Sequence, residues 1–123
     1  MYVALVDSGS DKNLISQSLV NELNLSFIPK VEPYLVRWIN AEHRVLVEWA
    51  ALVKFTLGTC KDYDIFDVTT LTTCDLILGR PWQFDQEMIY EARPNVIHFS
   101  KDESDWHARY TSYLYVTGRA NGI

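Results

Sequence analysis

The chain has 123 residues, of which 48% are hydrophobic, 13% aromatic and 22% charged, and its formal net charge is -5 at pH 7. This length predicts one domain whose core needs no disulfide or metal, and the aromatic content is too high for a disordered chain. The acidic balance argues against a nucleic-acid module, and no apolar run approaches the roughly 18 residues of a membrane span, so we expect a soluble domain that binds neither nucleic acid nor membrane.

The first part of the chain predicts a strand, a turn and a short helix. An apolar run precedes the cluster Asp7-Ser8-Gly9-Ser10, which indicates a strand that ends in a tight turn. Apolar residues at three- and four-residue steps predict a helix over about 16–24, with Ser16 as its N-cap and Asn24 as its stop.

The middle of the chain predicts antiparallel strands. Every odd position from 45 to 57 is apolar, a two-residue period that places one face of a strand against a core. A partner run at 34–39 and turn-forming residues between the two runs predict a long hairpin over 34–55. A further strand is expected at 63–68.

The last part predicts a buried strand, a second helix and a hairpin. The apolar run 76–78 stops at Gly79, and a short helix is expected to begin at Arg80 because the proline that follows is tolerated in a first turn. Residues 88–91 and 96–99 are expected to pair. The predicted organisation is a mostly β domain over residues 1–100 with one or two short helices, followed by a loosely structured tail over 101–123.

The cysteines and histidines do not predict a metal site. Cys60 and Cys74 form no C-x-x-C pair, and the three histidines lack the spacing of metal ligands. We therefore expect two free thiols, no metal and no cofactor.

Asp7 is the candidate catalytic residue. An Asp-Ser-Gly sequence is by itself typical of a plain turn, but here it follows an apolar strand directly. Peptide hydrolysis requires an activated water and a proton for the leaving amine, and two close carboxylates that share one proton can supply both. Gly9 would let the backbone approach the carboxylate, and the Ser8 hydroxyl would brace the loop.

The other aspartates are interpreted as non-catalytic. Asp75 also lies beside an apolar run, but no Ser-Gly follows it. The remaining ones are expected to be ordinary surface or turn carboxylates: Asp11, Asp62, Asp64, Asp67 and Asp85.

Taken together, the segments ALVDSGSDKNLIS and CDLILGRPWQFD, with the hairpin between them, resemble the retropepsin-like aspartic proteases of gypsy-type LTR retrotransposons. The resemblance covers about residues 2–99. It implies a closed acid-protease barrel and an aspartic endopeptidase that acts on a retroelement polyprotein without a cofactor. Asp7 would be catalytic, with Ser8, Gly9 and Ser10 supporting its loop.

The resemblance also implies a symmetric homodimer, because the chain has one Asp-Ser-Gly and the chemistry needs two carboxylates. The hairpin corresponds to the family's flap, which closes over a polypeptide substrate. Its tip would comprise Trp38, Ile39, Asn40 and Ala41, with Trp38 either contacting substrate or packing under the hairpin. Leu78 and Gly79 would pass behind the catalytic loop, where Gly79 permits close backbone contact.

One departure from the family leaves a second function open. Family members have a strand or two before the Asp strand, whereas here six residues precede Asp7. Either the chain is a truncated or domesticated, non-catalytic domain that dimerises or binds a partner, or the β-prone segment Tyr110–Val116 replaces the missing strand. The first residues lack the features of a signal peptide, and the resemblance implies a location in the cytoplasm or within virus-like particles.

Overall fold

A computed structural model of the chain describes residues 2–37, 44–57, 60–101, 103–109 and 111–118. These ranges contain ten strands and two short helices. The strands are β1 (Tyr2–Val6), β2 (Leu14–Ser16), β3 (Ile28–Arg37), β4 (Arg44–Leu57), β5 (Cys60–Thr69), β6 (Leu76–Leu78), β7 (Ile89–Glu91), β8 (Val96–Lys101), β9 (Ser104–Arg109) and β10 (Thr111–Gly118). The helices are α1 (Gln17–Glu22) and α2 (Arg80–Asp85). The prediction of a mostly β fold with short helices is confirmed, and within the described ranges neither helix is long and apolar enough to cross a bilayer.

Seven strands form the main sheet, in the order β10-β1-β6-β2-β5-β4-β3. β6 lies parallel to β1 and antiparallel to β2, so it is inserted between two strands that come much earlier in the chain. β10 pairs with β4 as well as with β1, whereas β3 pairs with β4 alone among the described strands. The predicted closed barrel is corrected accordingly: β3 is left outside as a free edge, and the sheet does not close through all of its strands.

Helix α1 begins and ends where the sequence predicts. The Ser16 hydroxyl oxygen accepts a hydrogen bond from the Leu19 N–H at 3.0 Å, which satisfies one of the free amides of the first turn. Asn24 has a φ of 53°, a left-handed conformation that asparagine tolerates and that ends a helix. The buried face of α1 consists of Leu19 and Val20.

The predicted hairpin is present as β3 and β4, which pair antiparallel from Ile28↔Ala50 to Arg37↔Arg44. The predicted alternation along β4 is interrupted at two neighbouring positions: Trp49 is 41% exposed and packs edge-on against Phe27, and Ala50 is buried. Trp49 lies opposite Pro29, where the register of β3 shifts. Proline has no N–H for the ladder, so the regular pairing is interrupted there.

The chain beyond residue 100 differs from the predicted loose tail. β8 runs through the predicted boundary to Lys101 and forms a three-stranded sheet with β7 and β9. β10 joins the main sheet, antiparallel to β1 from Tyr2↔Leu114 to Leu5↔Thr111. β10 begins at Thr111, within the β-prone segment singled out in the sequence, and the idea that this segment replaces a missing strand stays a prediction.

The core lies between the main sheet, both helices and β8. Its largest side chains are fully buried, and Trp82 of α2 packs on Phe99 of β8 with ring centroids 5.2 Å apart. Phe55 and Phe66 meet edge-on across β4 and β5 at 5.8 Å. Burial of each such side chain contributes about 1.5–3 kcal/mol to the stability of the folded state. The burial of Trp82 therefore holds α2 beneath the loop that follows β1.

Candidate active site

The Asp7 carboxylate is oriented by its own loop. Asp7 follows β1 directly and remains half-buried. Its N–H donates to the Leu78 carbonyl at 3.2 Å, and its carbonyl accepts from the Ser10 N–H at 3.2 Å. The Gly9 N–H donates to Asp7 Oδ1 at 2.8 Å, so backbone bonds at three points determine where this carboxylate lies.

Glycine at position 9 allows this close approach. A Cβ on Gly9 would lie 3.1 Å from Asp7 Oδ1, which is tighter than an ordinary van der Waals contact. Ser8 is exposed, and its bracing of the loop stays a prediction. Ser10 supports the loop, since its hydroxyl donates to the Lys12 carbonyl at 2.7 Å.

Leu78 and Gly79 pack against the Asp7 loop from the side of β6. Leu78 pairs with Val6 across the parallel strands β6 and β1. A Cβ on Gly79 would lie only 2.1 Å from the Lys12 carbonyl oxygen and 2.9 Å from the Ser10 carbonyl oxygen. Only glycine fits here, because both contacts are with backbone atoms.

Asn13 joins the Asp7 loop to α2, and sequence reasoning missed this role. Asn13 is buried, and its Oδ1 accepts hydrogen bonds from the N–H groups of Gly79 at 3.0 Å and Trp82 at 3.4 Å. Gly79 is the N-cap of α2 and has no side chain to cap it. A glycine N-cap therefore signals that an acceptor must come from elsewhere in the chain.

The Asp7 side chain borders a cavity of about 430 Å³. Its apolar walls include Leu5, Val45 and Ile77, and the loop 70–74 completes the described lining. Val45 is the second residue of β4 and pairs with Val36, so the end of the hairpin nearest its tip reaches this cavity. Among the described lining residues, Asp7 is the sole carboxylate.

Cys60 is buried and Cys74 is half-buried, and neither forms a disulfide. Cys74 lines the cavity, and burial raises the pKa of its thiol, which keeps it protonated and poorly nucleophilic. In the described ranges no three His, Cys, Asp or Glu side chains are grouped to hold a metal ion. The predicted flap-tip residues Trp38, Ile39, Asn40 and Ala41 lie outside the described residues.

Comparison with protein families identifies this arrangement. The model of the PEG10/RTL1 protease domain matches residues 3–103. The chain belongs to this family. The family is a retropepsin-like domain derived from a gypsy retrotransposon, so the resemblance stated from the sequence is confirmed. A comparison with curated proteins gave no match.

Two aspartates of the domain, Asp62 and Asp67, are buried, contrary to the prediction of ordinary surface carboxylates. Asp67 accepts hydrogen bonds from Lys30 Nζ at 2.8 Å and from the Tyr34 hydroxyl. Burial and this hydrogen bond raise the pKa of Tyr34. Asp62 accepts from Lys101 Nζ at 2.9 Å and from Trp82 Nε1 at 3.1 Å. Each carboxylate is paired, as a buried charge requires, and each ties β5 to another element.

Asp75 has a positioning role within the same protease domain. Its carboxylate accepts a hydrogen bond from the Val3 N–H at 2.8 Å, and its own N–H donates to the Val3 carbonyl at 2.9 Å. Its carbonyl accepts from the Ser16 N–H at 2.9 Å. Asp75 therefore fastens β1 and the start of α1 together, away from the cavity lining.

Proposed function

We propose that this domain is an aspartic endopeptidase in which Asp7 is the catalytic carboxylate. The observation that carries the proposal is the position of Asp7. Its carboxylate accepts the Gly9 N–H at 2.8 Å in a loop braced from behind, and its residue borders a largely apolar cavity of about 430 Å³. A carboxylate held in this way at the edge of an apolar cavity is suited to activating a water against a bound peptide.

The reaction needs a base for the water and an acid for the scissile carbonyl, and two close carboxylates supply both. Because two like charges at close range are not both ionised, the two carboxylates share one proton. The ionised carboxylate removes a proton from the water, whose oxygen adds to the scissile carbonyl carbon. The protonated carboxylate gives its proton to the carbonyl oxygen. Collapse of the resulting diol breaks the C–N bond: the leaving amine takes up a proton from the protonated carboxylate, and one diol hydroxyl returns its proton to the ionised one, which restores the pair.

A second copy of the chain would supply the second carboxylate. Asp7 is the sole carboxylate among the described lining residues, and the chain has one Asp-Ser-Gly. A two-fold axis beside Asp7 would place its counterpart in the same site. The cavity is then shared between the protomers.

The hairpin formed by β3 and β4 would act as the flap. Val45, near the tip end of the hairpin, lines the cavity, so residues 38–41 would close over an extended polypeptide and exclude water. The proposed substrate is a polyprotein, cleaved without a cofactor in the cytoplasm or within virus-like particles.

The test is cleavage of a peptide library by the wild-type chain, Asp7→Asn and Asp11→Asn. Asp11 is a matched control because it is an exposed aspartate of the same loop. Asp7→Asn should lower kcat/KM by at least about 1,000-fold, while Asp11→Asn should stay close to wild type. A transition-state-mimicking inhibitor of aspartic proteases should block the wild-type activity. Wild-type rates from Asp7→Asn would disprove the assignment.

Mixing the variants tests the shared site. Excess Asp7→Asn chain should inhibit the wild type, because each mixed dimer has a single competent carboxylate, and wild-type specific activity should fall on dilution below the dimer Kd. Asp11→Asn should not inhibit. A chain that sediments as a dimer yet cleaves nothing at any concentration would instead support the non-catalytic alternative.

A further inference from the structure

We infer that Asn13 is a positioning residue that sets the place of the Asp7 carboxylate by joining the catalytic loop to α2; the inference rests on the proposed function. The Asp7 loop is exposed at Ser8, Gly9 and Asp11, and contacts with water do not fix a loop in one conformation. The loop must therefore be fixed by the residues that pack against its buried side.

That side is the first turn of α2, whose free amides all bond to the Asp7 loop. The Arg80 N–H donates to the Ser10 carbonyl at 2.9 Å, Pro81 has no N–H, and the Trp82 N–H donates to Asn13 Oδ1 at 3.4 Å. Helix starts leave such amides without partners inside the helix, and here residues 10 and 13 of the loop satisfy them.

Gly79 extends this junction toward the catalytic residue. Its N–H donates to Asn13 Oδ1 at 3.0 Å, and the preceding residue, Leu78, accepts the Asp7 N–H. Asn13 and Asp7 are therefore connected by hydrogen bonds to two consecutive residues, Gly79 and Leu78.

Asn13 is itself held from the opposite side by β5. Its carbonyl accepts the Asp67 N–H at 2.9 Å, and its Nδ2 donates to Asp64 Oδ2 at 3.4 Å. A buried side chain that uses both its acceptor and its donor in this way has one orientation. Asn13 thus transmits the rigidity of β5 and α2 to a loop that lacks rigidity of its own.

Two substitutions separate the functions of the Asn13 amide. Asn13→Ala removes both the acceptor and the donor, leaving the buried Gly79 and Trp82 amides without a partner. Asn13→Asp retains the acceptor for those amides but replaces the donor with a carboxylate oxygen facing Asp64 Oδ2, which lies 3.4 Å from Asn13 Nδ2 in the wild type. Two carboxylates this close keep one proton between them, so the contact is retained as a shared hydrogen bond. Asn21→Ala is the control, because Asn21 is an exposed residue of α1.

We expect kcat, normalised to the folded fraction measured by circular dichroism, to differ between the variants. Asn13→Ala should lower kcat about 10- to 100-fold with KM changed less than about 3-fold, because a misplacement near 1 Å has an effect of this order on the chemical step. Asn13→Asp should retain kcat within about 5-fold of wild type, and Asn21→Ala should not differ from it. Equal kcat for folded Asn13→Ala and wild type would overturn the inference.

A readout independent of activity keeps this inference distinct from the proposed function. The NMR chemical shift of the Gly9 N–H reports its hydrogen bond to Asp7 Oδ1. At a fixed pH this shift should change in Asn13→Ala and remain unchanged in Asn21→Ala, whether or not the chain cleaves peptides. An unchanged Gly9 shift in folded Asn13→Ala would show that Asn13 does not position Asp7, even if the enzyme is active.

Discussion

Gly79→Ala tests the packing of α2 against the catalytic loop at its tightest point. Gly79 has a φ of -84°, which alanine adopts freely, so any effect of the substitution comes from the added methyl group and not from backbone strain. That methyl carbon would meet the Lys12 carbonyl carbon at 2.7 Å as well as its oxygen at 2.1 Å. Neither atom belongs to a flexible side chain that could swing away.

The structure sets the size of the expected effect. The added carbon and the Lys12 oxygen must separate by about 0.9 Å to reach even 3.0 Å, the lower limit of real Cβ contacts. Forcing a methyl group into a packed site destabilises a protein by about 1–3 kcal/mol. For a chain of this length we expect a fall in Tm of roughly 5–12 °C. A shift of the loop on this scale exceeds the about 0.5 Å that catalytic geometry tolerates, and should lower kcat about 100-fold.

Urea unfolding and peptide cleavage measure the two effects in the same preparation. Phe84→Ala is the control, because Phe84 lies on the same helix but is 84% exposed, and we expect its stability to stay within about 0.5 kcal/mol of wild type. If Gly79→Ala unfolds and cleaves like the wild type, the close contact between α2 and the loop does not exist, and the argument for glycine at this position is refuted.

Two further predictions concern Tyr34 of β3 and the last strand, β10. Because the pKa of Tyr34 is raised above its ordinary 10.0, the folded state keeps a proton that the unfolded chain releases above about pH 10; the stability from Tyr34 is therefore full below that pH and is lost as pH rises. Urea titrations at about pH 9 and 11 should show a smaller alkaline loss for Tyr34→Phe than for wild type, and an equal or larger loss would contradict this. A chain ending at residue 109 lacks β10 and exposes the edges of β1 and β4; it should aggregate and lose its cooperative unfolding transition by sedimentation and circular dichroism, and a full-length-like transition would contradict this.

Local chemistry allowed the sequence to predict several elements correctly. Ser16 caps α1 and Asn24 ends it because a hydroxyl and a left-handed asparagine act within a few residues of their own position. The turn at Asp7 is predicted by Asp, Ser and Gly in succession. The end of β6 is predicted by the apolar run 76–78, which stops at Gly79. The family resemblance depends on the same short segments, and the match over residues 3–103 confirms it.

Tertiary structure alone decided the features that depend on partners far away in the chain. Asn13 caps a helix 66 residues further on, and Asp67 becomes buried because Lys30 and Tyr34 of β3 reach it; no local pattern encodes such pairings. Trp49 leaves the alternation because Pro29 lies opposite it. The segment after residue 110 becomes β10 because β1 and β4 each have an edge with unpaired N–H and C=O groups that it can bond. Those edges exist only once the sheet has assembled, so the segment's own residues do not encode them.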